Sequence, residues 1–428
     1  MKTTENESPR GKPRGIFEKE GKKQERINQW ENAISRNALF QATQKDKRIS
    51  RGHTMVKYIV KPGDTLSKIA TSKLGSAGKW RVIAELNGIV NPARIRVGQR
   101  LQLPGEVTEV PSVVNTAEGV QAVSKERIRI SVENKVVCAT LLTKPEKIFV
   151  GRLHRKGLYR VGLHDPENFI ANHRVKLQEV NLTDSEMNVI FATSENEGNL
   201  DAVNTWDNQF ISFGMFQWTA GGAGKPGELP ALLKIIKDSY PDNFQHYWGQ
   251  FGLDVVDVGH RTGWFSYRRK KLISAGDKAM LREHIWAYRF ARAGADIEVQ
   301  AAQIRHAVNR INQFYYVNSS RLNGYALADL ITSEYGVALL LDNHVNRPGY
   351  VHSCIAEALA LSNLSAAEMS RAGDEEEQRV IKNYLDVRET YGKWPMTDAR
   401  QRASVTRGYV VDGIISADRG SLALEAMA

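Results

Sequence analysis

Two glutamates that follow an apolar segment are the residues of this 428-residue chain best suited to acid catalysis. Glu195 and Glu197 come directly after residues 187–194, whose Met, Val, Ile and Phe side chains predict the apolar face of a helix. A carboxyl group held against apolar side chains loses hydration, which raises its pKa and allows it to donate a proton near neutral pH. We favour Glu195, because Glu197 adjoins Gly198 and its backbone is expected to be freer. The alternative is that both are solvated charges at a helix end.

The elements around these glutamates predict a cleft. The helix is expected to begin at an N-cap cluster, residues 183–185, and to end at Gly198. A polar loop comes next, and the chain returns through an aromatic segment, residues 210–218. In the loop, Asp207 is a second carboxylate that could position water or stabilise positive charge in a transition state. It could equally be a turn residue, and Glu197 is an alternative for either catalytic role.

Segment 185–218 resembles the catalytic signature of the lysozyme-like superfamily, which includes goose-type lysozymes and soluble lytic transglycosylases. The resemblance rests on SEN-x-x-N-x-x-AVN followed by FGMFQW. It implies that Glu195 is the catalytic acid and that Asp207 takes the place of an aspartate of the goose-type enzymes. The family's substrate-side Gly-Leu-Met-Gln is replaced here by Gly214, Met215, Phe216 and Gln217. Asn196 and Phe216 depart from the family's Ser and Met.

A second recognisable module spans residues 55–104. Strand, turn, two helices and a closing strand give the order β-α-α-β. The GDTL, N-G-I, NP and GQ-x-L-x-L-P pieces resemble a LysM domain over its whole length. The resemblance implies binding of N-acetylglucosamine-containing glycans in a groove between two loops. The residues it assigns to this groove are Gly63, Asp64, Thr65, Leu66, Asn91 and Pro92, although such residue types also build ordinary turns.

The remaining sequence suggests a multidomain α+β chain. Residues 1–54 read as a basic, flexible leader with 13 Lys and Arg against 7 Asp and Glu, and residues 105–125 as a linker. Alternating segments in residues 126–180 predict a β-rich connector, either a small β subdomain or the leading edge of the catalytic domain. Residues 181–428 show helical periodicity and match the mainly α fold that the lysozyme-like resemblance implies. The sequence therefore predicts three structured parts.

A polar group after three leucines is a further candidate for the substrate groove. It contains Asp342 and His344, which could hydrogen-bond sugar hydroxyls or simply cap a buried helix. The Gly-rich segment after Trp218 lacks the order of a phosphate loop and is interpreted as a flexible loop over the cleft. Histidine and cysteine spacings match no metal motif, so neither a metal nor a cofactor is predicted. Cys138 and Cys354 are expected to be buried free thiols.

Composition limits location and partners. No run of about 18 apolar residues occurs, so no membrane span is expected. The N-terminus lacks an apolar core, so we expect synthesis in the cytoplasm without a secretory signal peptide. The formal charge of +11 suits an acidic cell wall, anionic lipid or nucleic acid, and nucleic acid is not among the partners that we expect.

The combined interpretation is a peptidoglycan-degrading glycosidase, a muramidase with a LysM wall-binding module. Hydrolase and lytic transglycosylase chemistry both stay open, as does a chitin-type substrate. Without a signal peptide, action on a cell wall or in the periplasm requires non-classical delivery, as a secretion-system effector or a phage lysin. Delivery machinery and an immunity protein are therefore expected partners. The alternative is a non-catalytic LysM wall-binding component of a phage tail or contractile injection system.

Overall fold

The computed structural model describes residues 50–51, 55–74, 79–89, 91–92, 95–104, 109–110, 128–142, 147–393 and 395–423. The chain divides into two units, Met1–Lys47 and Arg48–Ala428. The predicted leader and linker therefore lie almost wholly outside the described residues.

The N-terminal part of the second unit has the predicted β-α-α-β order. Its elements are β1 (Ser50–Arg51), β2 (Met55–Ile59), α1 (Leu66–Leu74), α2 (Trp80–Asn87), β3 (Arg100–Pro104) and β4 (Glu109–Val110). β2 pairs antiparallel with β3, and β1 pairs with β4. α1 begins after Thr65, whose Oγ1 accepts the Lys68 amide at 3.2 Å, and α2 ends at Gly88, which has a φ of +66°. Leu66, Ile83 and other apolar residues of both helices and β3 form a separate small core.

A seven-stranded antiparallel sheet comes next. Its strands are β5 (Ile128–Glu133), β6 (Val136–Leu141), β7 (Lys147–His154), β8 (Gly157–Arg160), β9 (Val203–Asn204), β10 (Ser212–Phe213) and β11 (Trp218–Thr219), in the spatial order β11 to β5. β8 pairs with β9. The strands predicted within residues 126–180 are thus confirmed, in four segments. They share one sheet with strands beyond residue 180, so they are the leading edge of the larger body.

Helices dominate the rest of the described chain. They are α3 (Pro166–Gln178), α4 (Asp184–Ser194), α5 (Leu229–Ser239), α6 (Pro241–Tyr247), α7 (Ala275–Lys278), α8 (His284–Ala293), α9 (Ile297–Asn312), α10 (Glu334–Asn346), α11 (Val351–Leu361), α12 (Ala366–Met369), α13 (Asp374–Thr390) and α14 (Ala399–Val411). A small antiparallel sheet, β12 (Leu253–Val256), β13 (Trp264–Tyr267) and β14 (Lys270–Lys271), lies between α6 and α7 in sequence. The fold is therefore mixed α/β with a helical C-terminal region.

The helix that carries the candidate glutamates lies at the centre of this body. α4 packs against α3, α9, α10 and α14, and Met187, Val189 and Ile190 are fully buried. The two cysteines are buried and free, as predicted. Within the described residues, no helix combines the length and apolar character that a bilayer crossing needs.

Candidate active site

The start of α4 matches the prediction and its end does not. Thr183 and Glu186 form a capping box, in which the Thr183 side chain accepts the Glu186 amide at 3.1 Å. The helix ends at Ser194, four residues before Gly198. The Gly198 amide instead donates to the Met215 carbonyl at 2.8 Å. This bond brings the glutamate segment beside the aromatic segment, as the sequence predicted.

Glu195 lies at the surface. It is the C-cap of α4 and is exposed, and its Oε2 accepts a hydrogen bond of 2.6 Å from the Tyr409 hydroxyl on α14. The expectation that apolar neighbours desolvate this carboxyl is wrong, because the helix stops one residue earlier. Its assignment as the catalytic acid stays a prediction.

Glu197 is the more buried of the two carboxylates. Its side chain is 12% exposed, and its Oε1 accepts a hydrogen bond from Nη2 of Arg402. Burial, together with the charge of Asp342, raises the pKa of Glu197 to about 7, against the opposing effects of Arg402 and Arg310. Oε2 accepts no hydrogen bond from any described residue. The expectation that Glu197 is the freer residue is wrong, because Arg402 also holds the neighbouring backbone through the Asn196 carbonyl at 2.8 Å.

The prediction that Asp342 lines a sugar groove is wrong. The residue is completely buried, and its Oδ1 and Oδ2 accept hydrogen bonds from Arg402 Nε at 2.8 Å and Arg388 Nη1 at 2.9 Å. Because α10 continues to Asn346, Asp342 lies inside the helix rather than at its cap. It connects two cations behind Glu197.

His344 is likewise buried rather than in a sugar groove. Its ring stacks on Phe314 with 4.3 Å between centroids, and its Nδ1 accepts a hydrogen bond from Arg310 at 3.2 Å. Only 8% of the residue is exposed, so the prediction that His344 lines a sugar groove is wrong.

The side chain of Gln303 holds the backbone of the aromatic segment in place. Gly214 has a φ of +77°, and an added Cβ would lie 2.1 Å from Gln303 Oε1. That oxygen accepts the Met215 amide at 3.3 Å, and Gln303 Nε2 donates to the Leu200 carbonyl at 2.8 Å. Met215 and Phe216 are buried in the core, so their side chains support the segment, whereas Gln217 is partly exposed.

Asp207 lies in a turn between β9 and β10 and is partly exposed. Its Oδ1 accepts the Gln209 amide at 2.9 Å. Arg282 donates to the carbonyls of Thr205 and Asp207, each at 2.5 Å, and fixes this turn. The residue is thus a turn residue and a positioned carboxylate, and its catalytic role stays a prediction.

Glu167 is a third carboxylate at this end of α4 that the sequence analysis missed. The Ser194 hydroxyl donates to its Oε1 at 3.0 Å. Burial raises the pKa of Glu167 to about 7, and the charges of Asp165 and Glu195 add to the effect. Glu167 lies in the first turn of α3, where acidic residues are common because they stabilise the helix N-terminus. Its sequence position therefore does not point to a role in the site. Arg402, Tyr409 and Gln303 were also missed, since none is near Glu197 in sequence.

The residues predicted for the glycan groove are turn residues with one exception. Gly63 is exposed with a φ of +80°. Asp64 accepts the Lys61 amide at 2.7 Å and the Tyr58 hydroxyl at 2.8 Å, and these bonds lower its pKa. Leu66 is 1% exposed, so its side chain belongs to the small core, and the predicted place of this residue beside the groove stays a prediction. The others, Thr65, Asn91 and Pro92, are exposed or partly exposed.

Comparison with known proteins bears on the N-terminal module. The LysM domain family matches residues 58–104. An uncharacterised protein of Deinococcus radiodurans is 48% identical over 61 residues, which are 14% of this chain and 23% of that protein. The match thus spans about a quarter of the relative's length. No solved structure matches the chain, and no comparison supports the lysozyme-like resemblance. Residues 58–104 are therefore a LysM domain, a module that binds N-acetylglucosamine-containing glycan such as peptidoglycan.

Proposed function

We propose that this protein cleaves the glycan strands of peptidoglycan, with the LysM domain holding the polymer and Glu197 donating the proton. The observation that carries the proposal is the state of Glu197. It combines burial, a pKa of about 7 and an oxygen without a described partner. Glu167 is also buried with a pKa of about 7, and Glu197 is preferred because its neighbour Gly198 is hydrogen-bonded to the aromatic segment at Met215. Such a group is half protonated at neutral pH and can act as a general acid.

The chemistry is set by this assignment. Glu197 Oε2 would protonate the glycosidic oxygen while positive charge develops on the sugar ring. A carboxylate that activates water would yield a reducing sugar, and Asp207, held in its turn by Arg282, is the candidate. If the muramoyl 6-hydroxyl attacks instead, the product is an anhydro sugar. Hydrolysis is the form we propose, with Asp207 as the carboxylate that activates water.

The LysM domain supports the choice of substrate class. It matches a family that binds N-acetylglucosamine-containing glycan, which peptidoglycan and chitin both are. In this proposal a wall polymer is the substrate, and delivery from the cytoplasm as a secretion-system effector or phage lysin brings the enzyme to it.

The test compares the two neighbouring glutamates. Glu197→Gln is expected to reduce the release of soluble muropeptides by about 100-fold or more, the range of a lost general acid. Glu195→Gln, which keeps an acceptor for Tyr409, is expected to cost less than about 10-fold. Equal losses in the two variants, with unchanged melting temperatures, would contradict the assignment.

A second candidate is a wall-binding component without catalysis. The observation that favours it is that the LysM domain is the part with a family match. It predicts retention on peptidoglycan sacculi with no release of soluble products from wild type.

A further inference from the structure

Three exposed basic side chains on one turn lie against the turn that carries Asp207. They are His154, the last residue of β7, and Arg155 and Lys156, which connect β7 to β8, and we refer to them as the cationic turn. The Arg155 guanidinium lies 4.6 Å from the centroid of the Trp206 ring, and the His154 ring meets the same indole edge-on at 4.9 Å. Lys156 Nζ donates to Asn208 Oδ1 at 2.9 Å. The cationic turn therefore contacts both sequence neighbours of Asp207.

Arg155 is held in place without being neutralised. Its contact with Trp206 is a cation–π interaction, and its N–H groups form no hydrogen bond or ion pair with any residue that the structure describes. A guanidinium that stacks on an aromatic face keeps its planar fork of donors at the ring edge, and this fork matches a carboxylate. The stacking also reduces the entropy that Arg155 would lose on binding an anion.

Arg282 holds the turn that the cationic turn contacts. Arg282 bonds the carbonyls on both sides of Trp206 and lies 4.7 Å from the Phe210 ring centroid. Burial lowers the pKa of Arg282, and the charge of Asp207 opposes this effect, so the carboxylate stabilises the cation that holds its turn. A fixed Trp206 therefore presents Arg155 to solvent beside the candidate carboxylate.

We propose that the cationic turn is a subsite for the carboxylates of peptide-substituted glycan, and this inference rests on the proposed glycan-cleaving function. Polymers of glucosamine and of its N-acetyl form differ in charge. Chitin is neutral and deacetylated chitin is cationic, whereas glycan with attached peptides carries carboxylates. Basic side chains beside Asp207 attract glycan with attached peptides and repel deacetylated chitin. They have no charge interaction with chitin. The subsite thus makes peptidoglycan with intact peptides the preferred substrate.

The experiment uses a double variant of the full chain, Arg155→Gln with Lys156→Gln, and two substrates of matched length. One is peptidoglycan glycan with intact peptides, and the other is the same glycan after enzymatic removal of the peptides and amidation of the lactyl carboxylates that this removal exposes. On the peptide-bearing glycan we expect KM to rise about 5- to 20-fold, as for the loss of one or two exposed charge contacts, with kcat within about twofold. On the peptide-free glycan both constants should stay at wild-type values. Wild-type KM should also rise with salt on the peptide-bearing substrate alone.

The matched control is Arg268→Gln with Arg269→Gln, which removes two exposed cations from the turn between β13 and β14. Its kinetics should equal wild type on both substrates. An equal loss on the two substrates in the cationic-turn variant, or no loss on either, overturns the subsite.

Failure of the proposed function is recognised separately. If wild type cleaves neither glycan, equilibrium binding of the same two glycans to wild type and the double variant still tests the subsite. A weaker affinity of the double variant for the peptide-bearing glycan alone supports it, and equal affinities overturn it.

Discussion

At the scale of single residues, the contrast between Glu195 and Glu197 decides the chemistry. They are two positions apart, yet one is exposed and bonded to a tyrosine, while the other is buried and paired with Arg402. A buried carboxylate that loses its cation is costly, whereas an exposed one is hydrated by water. Arg402 therefore fixes the position of Glu197 and opposes its protonation.

Arg402→Met is expected to move the alkaline limb of the pH–rate profile to higher pH. The cation favours the ionised form of Glu197, so its removal raises the pKa of Glu197 above about 7. An acid catalyst loses activity as pH rises through its pKa, so the variant should stay active to higher pH than wild type, at a lower kcat. Arg402→Lys keeps the charge and should keep the wild-type limb. Rates on peptidoglycan from about pH 5 to 10 measure this, and a limb that moves to lower pH contradicts the assignment.

The sequence predicted the neighbourhood of the site but ranked its residues wrongly. The apolar pattern and the capping residues located α4 and its start. The ranking of the glutamates depended on where the helix ends and on a partner 205 residues away. Local patterns do not encode such a contact, and Arg402 lies in a basic segment that resembles a solvated helix face. Asp342 was misplaced for the same reason, because its two arginine partners come from α13 and α14.

At the scale of elements, the segment from Lys278 to Arg282, just before α8, fixes two loops beside the aromatic segment. Lys278 is fully buried, and its Nζ donates to the carbonyls of Ala220, Gly221, Gly222 and Lys225 at 2.7 to 3.0 Å. One helical turn later, Arg282 bonds the turn that carries Asp207. The Gly-rich segment was expected to be a flexible loop, and it is instead tied to a buried ammonium group. The composition of that segment could not show this, because the hydrogen-bond donor, Lys278, lies in another element.

Lys278→Met is expected to release the Gly-rich loop. Methionine fills a similar volume but leaves four carbonyls without their donor, and each unsatisfied buried group costs about 1–3 kcal/mol before water enters. Amide hydrogen exchange in residues 220–227 should accelerate at least about 10-fold, and the melting temperature should fall. Lys234→Met, at an exposed lysine, is the control and should change neither. Unchanged exchange in the Lys278 variant would show that the loop is held by other contacts.

At the scale of the whole molecule, side chains of the LysM domain contact the larger, C-terminal part of the second unit directly. Glu85 of α2 is buried, and its Oε2 accepts the Val161 amide at 2.8 Å. Lys79 lies 3.8 Å from Asp165, and Arg152 Nη1 donates to the Leu86 carbonyl at 3.4 Å. The sequence predicted the LysM domain itself from its local signals. It did not predict this contact, because neither of the two contacting surfaces has a sequence pattern that distinguishes it from solvent-exposed surface.

Glu85→Gln is expected to reduce the pH dependence of stability. Burial raises the pKa of Glu85 to about 8, against the Val161 hydrogen bond, and its Oε1 is buried without a partner. A raised folded-state pKa means that the stabilisation is complete below the unfolded pKa and is lost as pH rises through about 8. Wild type should therefore lose melting temperature between about pH 5 and 8.

The variant isolates this effect in one pH interval. Glu167 and Glu197, with pKa values of about 7, titrate alike in wild type and variant, so the difference between the two curves from about pH 7 to 8.5 reports on Glu85. There the Glu85→Gln protein should show a flatter curve than wild type, and Glu133→Gln, at an exposed glutamate, should follow wild type. Parallel curves for wild type and Glu85→Gln would show that the carboxyl is ionised at the interface.

The central claim is that Glu197 protonates a glycosidic bond of peptidoglycan, and mass spectrometry of the soluble products tests it most directly. Purified sacculi are incubated with wild type, Glu197→Gln and Glu195→Gln at neutral pH. We predict disaccharide–peptide products with reducing ends from wild type and Glu195→Gln, and none above background from Glu197→Gln. Free peptides without sugar, or the same glycan products from Glu197→Gln as from wild type, would contradict it.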